Sequence, residues 1–110
     1  MQLPPELNAR LDDLLAGPKL AALERASARL SSGYRAGRPD LAGREGRLAY
    51  LATRLPATYA ALRSVLAECA ARLAAPVRSL LDLGAGPGSA GWAAAGVFPD
   101  LTQLTCLERD

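Results

Sequence analysis

The run Leu80-Leu-Asp-Leu-Gly-Ala-Gly-Pro-Gly-Ser-Ala90 constrains this chain most, because Gly84, Gly86 and Gly88 alternate directly after a short apolar stretch. Val77-Arg-Ser-Leu-Leu-Asp-Leu83 has the length and composition of a buried parallel strand. Glycine lacks a Cβ, tolerates positive φ and lets the backbone approach a ligand closely, so the chain turns sharply here. Small residues and Trp92 follow and predict a helix over roughly Ser89 to Ala95. Phe98-Pro99-Asp100 reads as a turn, and Leu101-Thr-Gln-Leu-Thr-Cys-Leu107 as a second strand ending at Glu108. Strand, glycine turn, helix and strand form one βαβ unit with parallel strands.

Such a turn is a binding site as well as a bend. The helix N-terminus beyond it offers unpaired N–H groups and a positive dipole end to an anionic group. Parallel pairing brings the end of the second strand beside the turn, where the Glu108 carboxylate is placed to accept hydrogen bonds from a ribose diol. Both features converge on a nucleoside-sized site. A G-x-G-x-x-G match at Gly86-Pro-Gly-Ser-Ala-Gly91 points nominally to a dinucleotide. Its first glycine comes too late, since the strand ends near Leu83. Read from the strand end, Asp82-Leu-Gly84-Ala-Gly86-Pro-Gly88 is an acid followed by three alternate glycines. That pattern resembles the first motif of class I S-adenosylmethionine-dependent methyltransferases. A tight turn holding no ligand is the remaining alternative.

Upstream the periodicity is helical. Alanine and leucine supply most of the apolar residues and isoleucine is absent, a balance that favours helix over sheet. Four helices are expected. The first runs over about 6–16 behind Pro4-Pro5, with Leu7, Leu11, Leu14 and Leu15 on one face, and ends at Gly17-Pro18. The second, about Lys19 to Ser31, carries Leu20, Leu23 and Leu30, and Ser32-Gly33 opens a loop with Tyr34, Arg35, Arg38 and Pro39. The third, about Leu41 to Leu55, places Leu48, Leu51 and Leu55 on one stripe. The fourth, about 56–74, starts at Pro56 and has a stripe of Tyr59, Leu62, Leu66, Cys69, Ala70 and Leu73. The expected organisation is therefore a helical region over 1–75 and a Rossmann-like α/β unit over 76–110.

A narrower resemblance rests on Tyr50-Leu-Ala-Thr-Arg-Leu-Pro-Ala-Thr-Tyr-Ala60, then Ser79-Leu-Leu-Asp-Leu-Gly-Ala-Gly-Pro-Gly, then Trp92-Ala-Ala. Together they resemble the methyltransferase-like family associated with the mitochondrial small ribosomal subunit, in a bacterial member. The match covers roughly Tyr50 to Glu108, and Phe98 before Pro99 departs from the tryptophan expected there. The resemblance implies that Asp82, Gly84, Ala85, Gly86 and Gly88 line the methionine and ribose side of S-adenosyl-L-methionine, and that Glu108 binds its ribose hydroxyls. It also implies an iron–sulfur cluster on downstream cysteines that this stretch does not supply. A nucleotide-type parallel sheet usually has five or six strands. Two strands leave an open edge and an uncovered face, so 76–110 reads as the first unit of a longer domain, binding cofactor weakly by itself and not catalysing.

Charge and cysteine content bound the rest. Residues 1–81 hold 12 basic and 7 acidic side chains, net +5, whereas 82–110 hold 1 and 4, net −3. Arginines 25, 29, 35, 38, 44, 47, 54, 63, 72 and 78 are suited to RNA phosphates, or else form ordinary solvated faces. Cys69 and Cys106, with no histidine anywhere, do not suggest a metal site or a disulfide framework and read as core thiols. No apolar stretch approaches the ~18 residues of a membrane span, and a secretory signal pattern is missing, so a cytoplasmic protein is expected. The expected function is methyl transfer to ribosomal RNA or the small ribosomal subunit, with catalytic residues and oligomeric state unassigned. The alternatives are a non-catalytic small-subunit assembly or translation factor with the same fold, and a nicotinamide-dependent oxidoreductase.

Overall fold

Five helices and a two-stranded parallel sheet make up a mixed α/β chain in the computed structural model, which describes residues 2–17, 20–37 and 43–109. Helices α1 (Pro5–Leu15), α2 (Leu20–Arg35), α3 (Gly43–Thr53) and α4 (Leu55–Arg72) precede β1 (Ser79–Leu83), α5 (Ser89–Val97) and β2 (Gln103–Leu107). Pro18, Lys19, Arg38, Pro39, Leu41 and the side chains of Leu20 and Tyr34 lie outside the described residues. No described helix is long and apolar enough to cross a membrane. Two compact units divide the chain, Leu3–Pro56 on one side and Ala57–Asp110 together with Met1–Gln2 on the other, with the main division inside the first turn of α4.

In the first unit, α2 and α3 pack through small side chains. Ala26, Leu30 and Ala49 form a buried cluster with Tyr50 against it. Leu7 and Leu11 of α1 are buried, as are Leu48 and Leu55, while Leu14 stays exposed. The α2 helix runs one turn past the expected stop at Ser32-Gly33. A single helical glycine costs only about 1 kcal/mol, and the chain has a better terminator four residues on. Ala36 N–H donates to Ser32 O at 3.0 Å, and Gly37 then takes the left-handed conformation (φ +75°) that closes a helix. Between α3 and α4 the break falls at Arg54, so Pro56 is the second residue of α4 rather than its first. Its missing N–H is not needed there.

In the second unit, β1 and β2 pair in register from Ser79↔Gln103 to Leu83↔Leu107. Both strands are two residues shorter at their starts than expected, because Thr102 and Gln103 N–H both donate to Arg78 O, while Leu101 N–H folds back to Phe98 O. Helix α5 is two residues longer, capped by Phe98 N–H on Ala94 O at 2.8 Å. Its Gly91 sits against Leu104, where an added Cβ would lie 2.7 Å from Cδ2. The Leu80/Leu104 face of the sheet therefore faces α5.

Register puts Leu81, Leu83 and Leu107 on the other face, and they are 59%, 70% and 53% exposed. The expected buried strand is thus half covered: β1 alternates exposed and half-buried residues, and β2 is exposed throughout. The two cysteines also correct the sequence reading. Cys106 lies on that open strand, and Cys69 lies near the end of α4 beside the exposed Leu73, so both thiols are exposed rather than core. Tyr59, earlier on the same stripe, is buried and accepts a hydrogen bond from Arg63 Nη1 at 3.1 Å.

Candidate functional site

The site grows out of the C-terminal end of β1. Gly84, Gly86 and Gly88 have φ of +70°, +55° and +87°, the left-handed region that side chains disfavour by roughly 1–2 kcal/mol. An added Cβ would meet nothing within 4 Å at Gly84 or Gly88. Glycine is required there by backbone conformation, and the space beside the turn is open.

Hydrogen bonds hold the turn to the second strand. Gly84 and Ala85 N–H both donate to Leu107 O, at 2.8 and 3.0 Å, and Gly88 N–H closes a tight turn onto Ala85 O at 3.0 Å. Gly86 N–H donates to Glu108 Oε2, and Glu108 Oε1 accepts Arg109 N–H at 2.9 Å. The Glu108 carboxylate is thereby clasped between the turn and the backbone that follows β2. Helix α5 starts at Ser89, with Gly88 as an N-cap lacking a side-chain hydrogen bond. Its first N–H groups have no intrahelical acceptor.

Two polar atoms in this region are buried without a partner, Asp82 Oδ2 and Ser89 Oγ. Ser89 is only 4% exposed. An unpaired buried polar group costs about 1–3 kcal/mol, so both are groups that a polar ligand would satisfy. The structure brings Asp82, Gly84, Ala85, Gly86, Gly88 and Glu108 to one end of the sheet. Ser89 was missed by motif reasoning, since the acid-and-glycine pattern ends one residue before it. Its signal was positional: a hydroxyl at the first turn of a helix that begins on glycine. A separate cleft of about 210 Å³, lined by Ala70, Leu73, Val77, Phe98 and Asp100 among others, opens at the opposite end of the unit, where β1 starts and α5 stops.

The family model described as mitochondrial small ribosomal subunit Rsm22 matches residues 44–110, more than half of the chain. The chain belongs to the Rsm22 family. The Rsm22 match spans α3, α4, the glycine turn and Glu108, so it contains the whole of the site just described. No curated protein matches the chain, and no solved structure does. Rsm22 membership associates the chain with the small ribosomal subunit.

Proposed function

We propose that the glycine turn holds S-adenosyl-L-methionine, and that residues 76–110 are the first βαβ unit of a Rossmann-like class I methyltransferase domain acting on ribosomal RNA or another component of the small subunit. The observation that carries this is the clasp between Gly86 N–H and the Glu108 carboxylate, beside three left-handed glycines. Asp82, Gly84, Ala85, Gly86 and Gly88 line the methionine and ribose side of the cofactor. Glu108 takes the ribose hydroxyls. Two backbone N–H groups orient its carboxylate, and a carboxylate has about four lone-pair sites to share.

The orphaned buried atoms support the fit. An ammonium group suits Asp82 Oδ2, and the Ser89 hydroxyl serves either a carboxylate or an amine. When bound, the cofactor supplies an electrophilic methyl group on a sulfonium. The protein's part is to bind and orient it and to exclude water, and positioning supplies much of the catalysis in an in-line displacement. Parallel sheets are covered on both faces, so the exposed Leu81, Leu83 and Leu107 support further elements packing there in the complete domain.

A second reading, a small-subunit assembly or translation factor that keeps the fold without catalysis, is favoured by one observation. The family description names a ribosomal subunit and no reaction. Labelled S-adenosylmethionine and labelled NAD, each offered to the protein in equilibrium dialysis, test the site. Retention of the first supports it; retention of NAD alone defeats it in favour of an oxidoreductase. Methyl incorporation into small-subunit particles then separates the enzyme from the factor.

A further inference from the structure

We propose that the exposed arginines of α2 and α3 form a docking surface for the phosphate backbone of duplex RNA. Between Arg25 and Arg54 the sequence has seven arginines and two acids, with no lysine. Arg25 and Arg29 lie four apart on α2, and Arg44 and Arg47 three apart on α3, all four exposed. Among the described residues none of these four makes a hydrogen bond or ion pair, whereas Arg72 of α4 pairs with Glu68 at 3.3 Å. Like charges at this spacing are neighbours on a helix surface and destabilise it by a few tenths of a kcal/mol. Both helices carry that cost over a seam built mainly of Ala26, Leu30 and Ala49. A partner that neutralises the arginines removes it.

The chemistry of the surrounding surface selects the partner. Among the side chains described, the other exposed residues on α2 are Ala21, Glu24, Ala28, Ser32 and Arg35, and on α3 Gly43, Glu45, Ala52 and Thr53. An acidic membrane surface calls for Trp, Phe or Leu interleaved with the basic residues, and a protein groove calls for an apolar centre. Neither is present among these exposed side chains. Single-stranded RNA is held by aromatic stacking platforms, and none is found among the exposed side chains described on these two helices. What remains is a charged surface of small residues, which suits the phosphates of an A-form helix, recognised by shape and backbone rather than by bases. Guanidinium is also the side chain whose planar fork matches phosphate. This surface is independent of the glycine turn, and its failure would leave the cofactor site untouched.

The test uses the 110-residue chain and a fluorescent RNA hairpin with a fully paired stem, titrated between 50 and 200 mM salt. For duplex DNA the logarithm of affinity falls by about 0.9 per neutralised phosphate for each logarithm of salt. On that scale the paired variants R25Q/R29Q and R44Q/R47Q each lower the slope by about 2, while R72Q leaves it unchanged. Circular dichroism confirms that each variant is folded. Three outcomes overturn the proposal: no salt-dependent duplex binding by the unmodified chain, an equal loss in R72Q, or tighter binding to phosphatidylserine vesicles or single-stranded RNA than to the duplex.

Discussion

Replacing Gly84 by alanine isolates backbone conformation from packing. The residue has φ +70°, and its added Cβ meets no atom within 4 Å, so steric conflict with neighbours contributes nothing. Its N–H bond to Leu107 O at 2.8 Å does not involve the side chain and is unaffected by the exchange itself. The expected loss is therefore the left-handed penalty alone, about 1–2 kcal/mol. Asparagine tolerates this region better than alanine because its side chain bonds locally to the backbone, so G84N should lose less than G84A. Trp92 is the only tryptophan and sits one turn into α5, its backbone N–H donating to Gly88 O at 3.1 Å. Its fluorescence during urea unfolding reports on this unit. A loss of 1–2 kcal/mol with a typical urea slope of about 1–3 kcal/mol per M lowers the midpoint by roughly 0.3–2 M. An unchanged midpoint in G84A, or a G84N as unstable as G84A, would refute the claim that conformation fixes glycine here.

Gly91→Ala should gain up to about 1 kcal/mol of helix propensity but lose it to the overlap with Leu104 Cδ2 at 2.7 Å. In the L104A background the same change should stabilise, and the double-mutant cycle followed by Trp92 fluorescence reads the difference. Leu30 is fully buried, so L30A should cost about 2–5 kcal/mol, seen in thermal melts by circular dichroism. Glu108→Ala removes the acceptor of Gly86 N–H and the proposed ribose ligand. Hydrogen bonds to charged groups are worth about 1.5–3 kcal/mol, so calorimetry should show S-adenosylmethionine binding weakened roughly tenfold to a hundredfold, with E108Q intermediate. The exposed pair Arg72–Glu68 should contribute less than about 0.5 kcal/mol, making R72A nearly neutral in the same melts.

Most of the βαβ unit was legible because its signals are local. An apolar run, three alternate glycines and a helix of small residues each specify their own conformation, and the parallel pairing of the strands follows from the βαβ connection. The bounds of α2 were not legible. Ser32-Gly33 carries the composition of a stop, yet one glycine in a helix is cheap, and Gly37 supplied the left-handed terminator instead. Burial was misread where it depends on what lies across a face. Leu81, Leu83 and Leu107 have core composition and are exposed, and the thiols of Cys69 on α4 and Cys106 on the other face of the sheet are exposed as well. Apolar residues mark which face is meant to be covered, and the covering elements are a separate matter. At the site, motif spacing selected the acid, the glycines and Glu108, while Ser89 emerged only from a buried hydroxyl without a partner.

The glycine turn and Glu108 are proposed to form one nucleoside site for an S-adenosyl ligand. An NMR titration of the isotopically labelled chain with S-adenosylhomocysteine tests this directly, because it detects weak binding residue by residue. Saturable shifts of the Gly84, Gly86, Gly88 and Ser89 amides are expected, with their loss in E108A. Shifts produced by NAD and not by S-adenosylhomocysteine, or shifts confined to the cleft around Leu73 and Phe98, would contradict it.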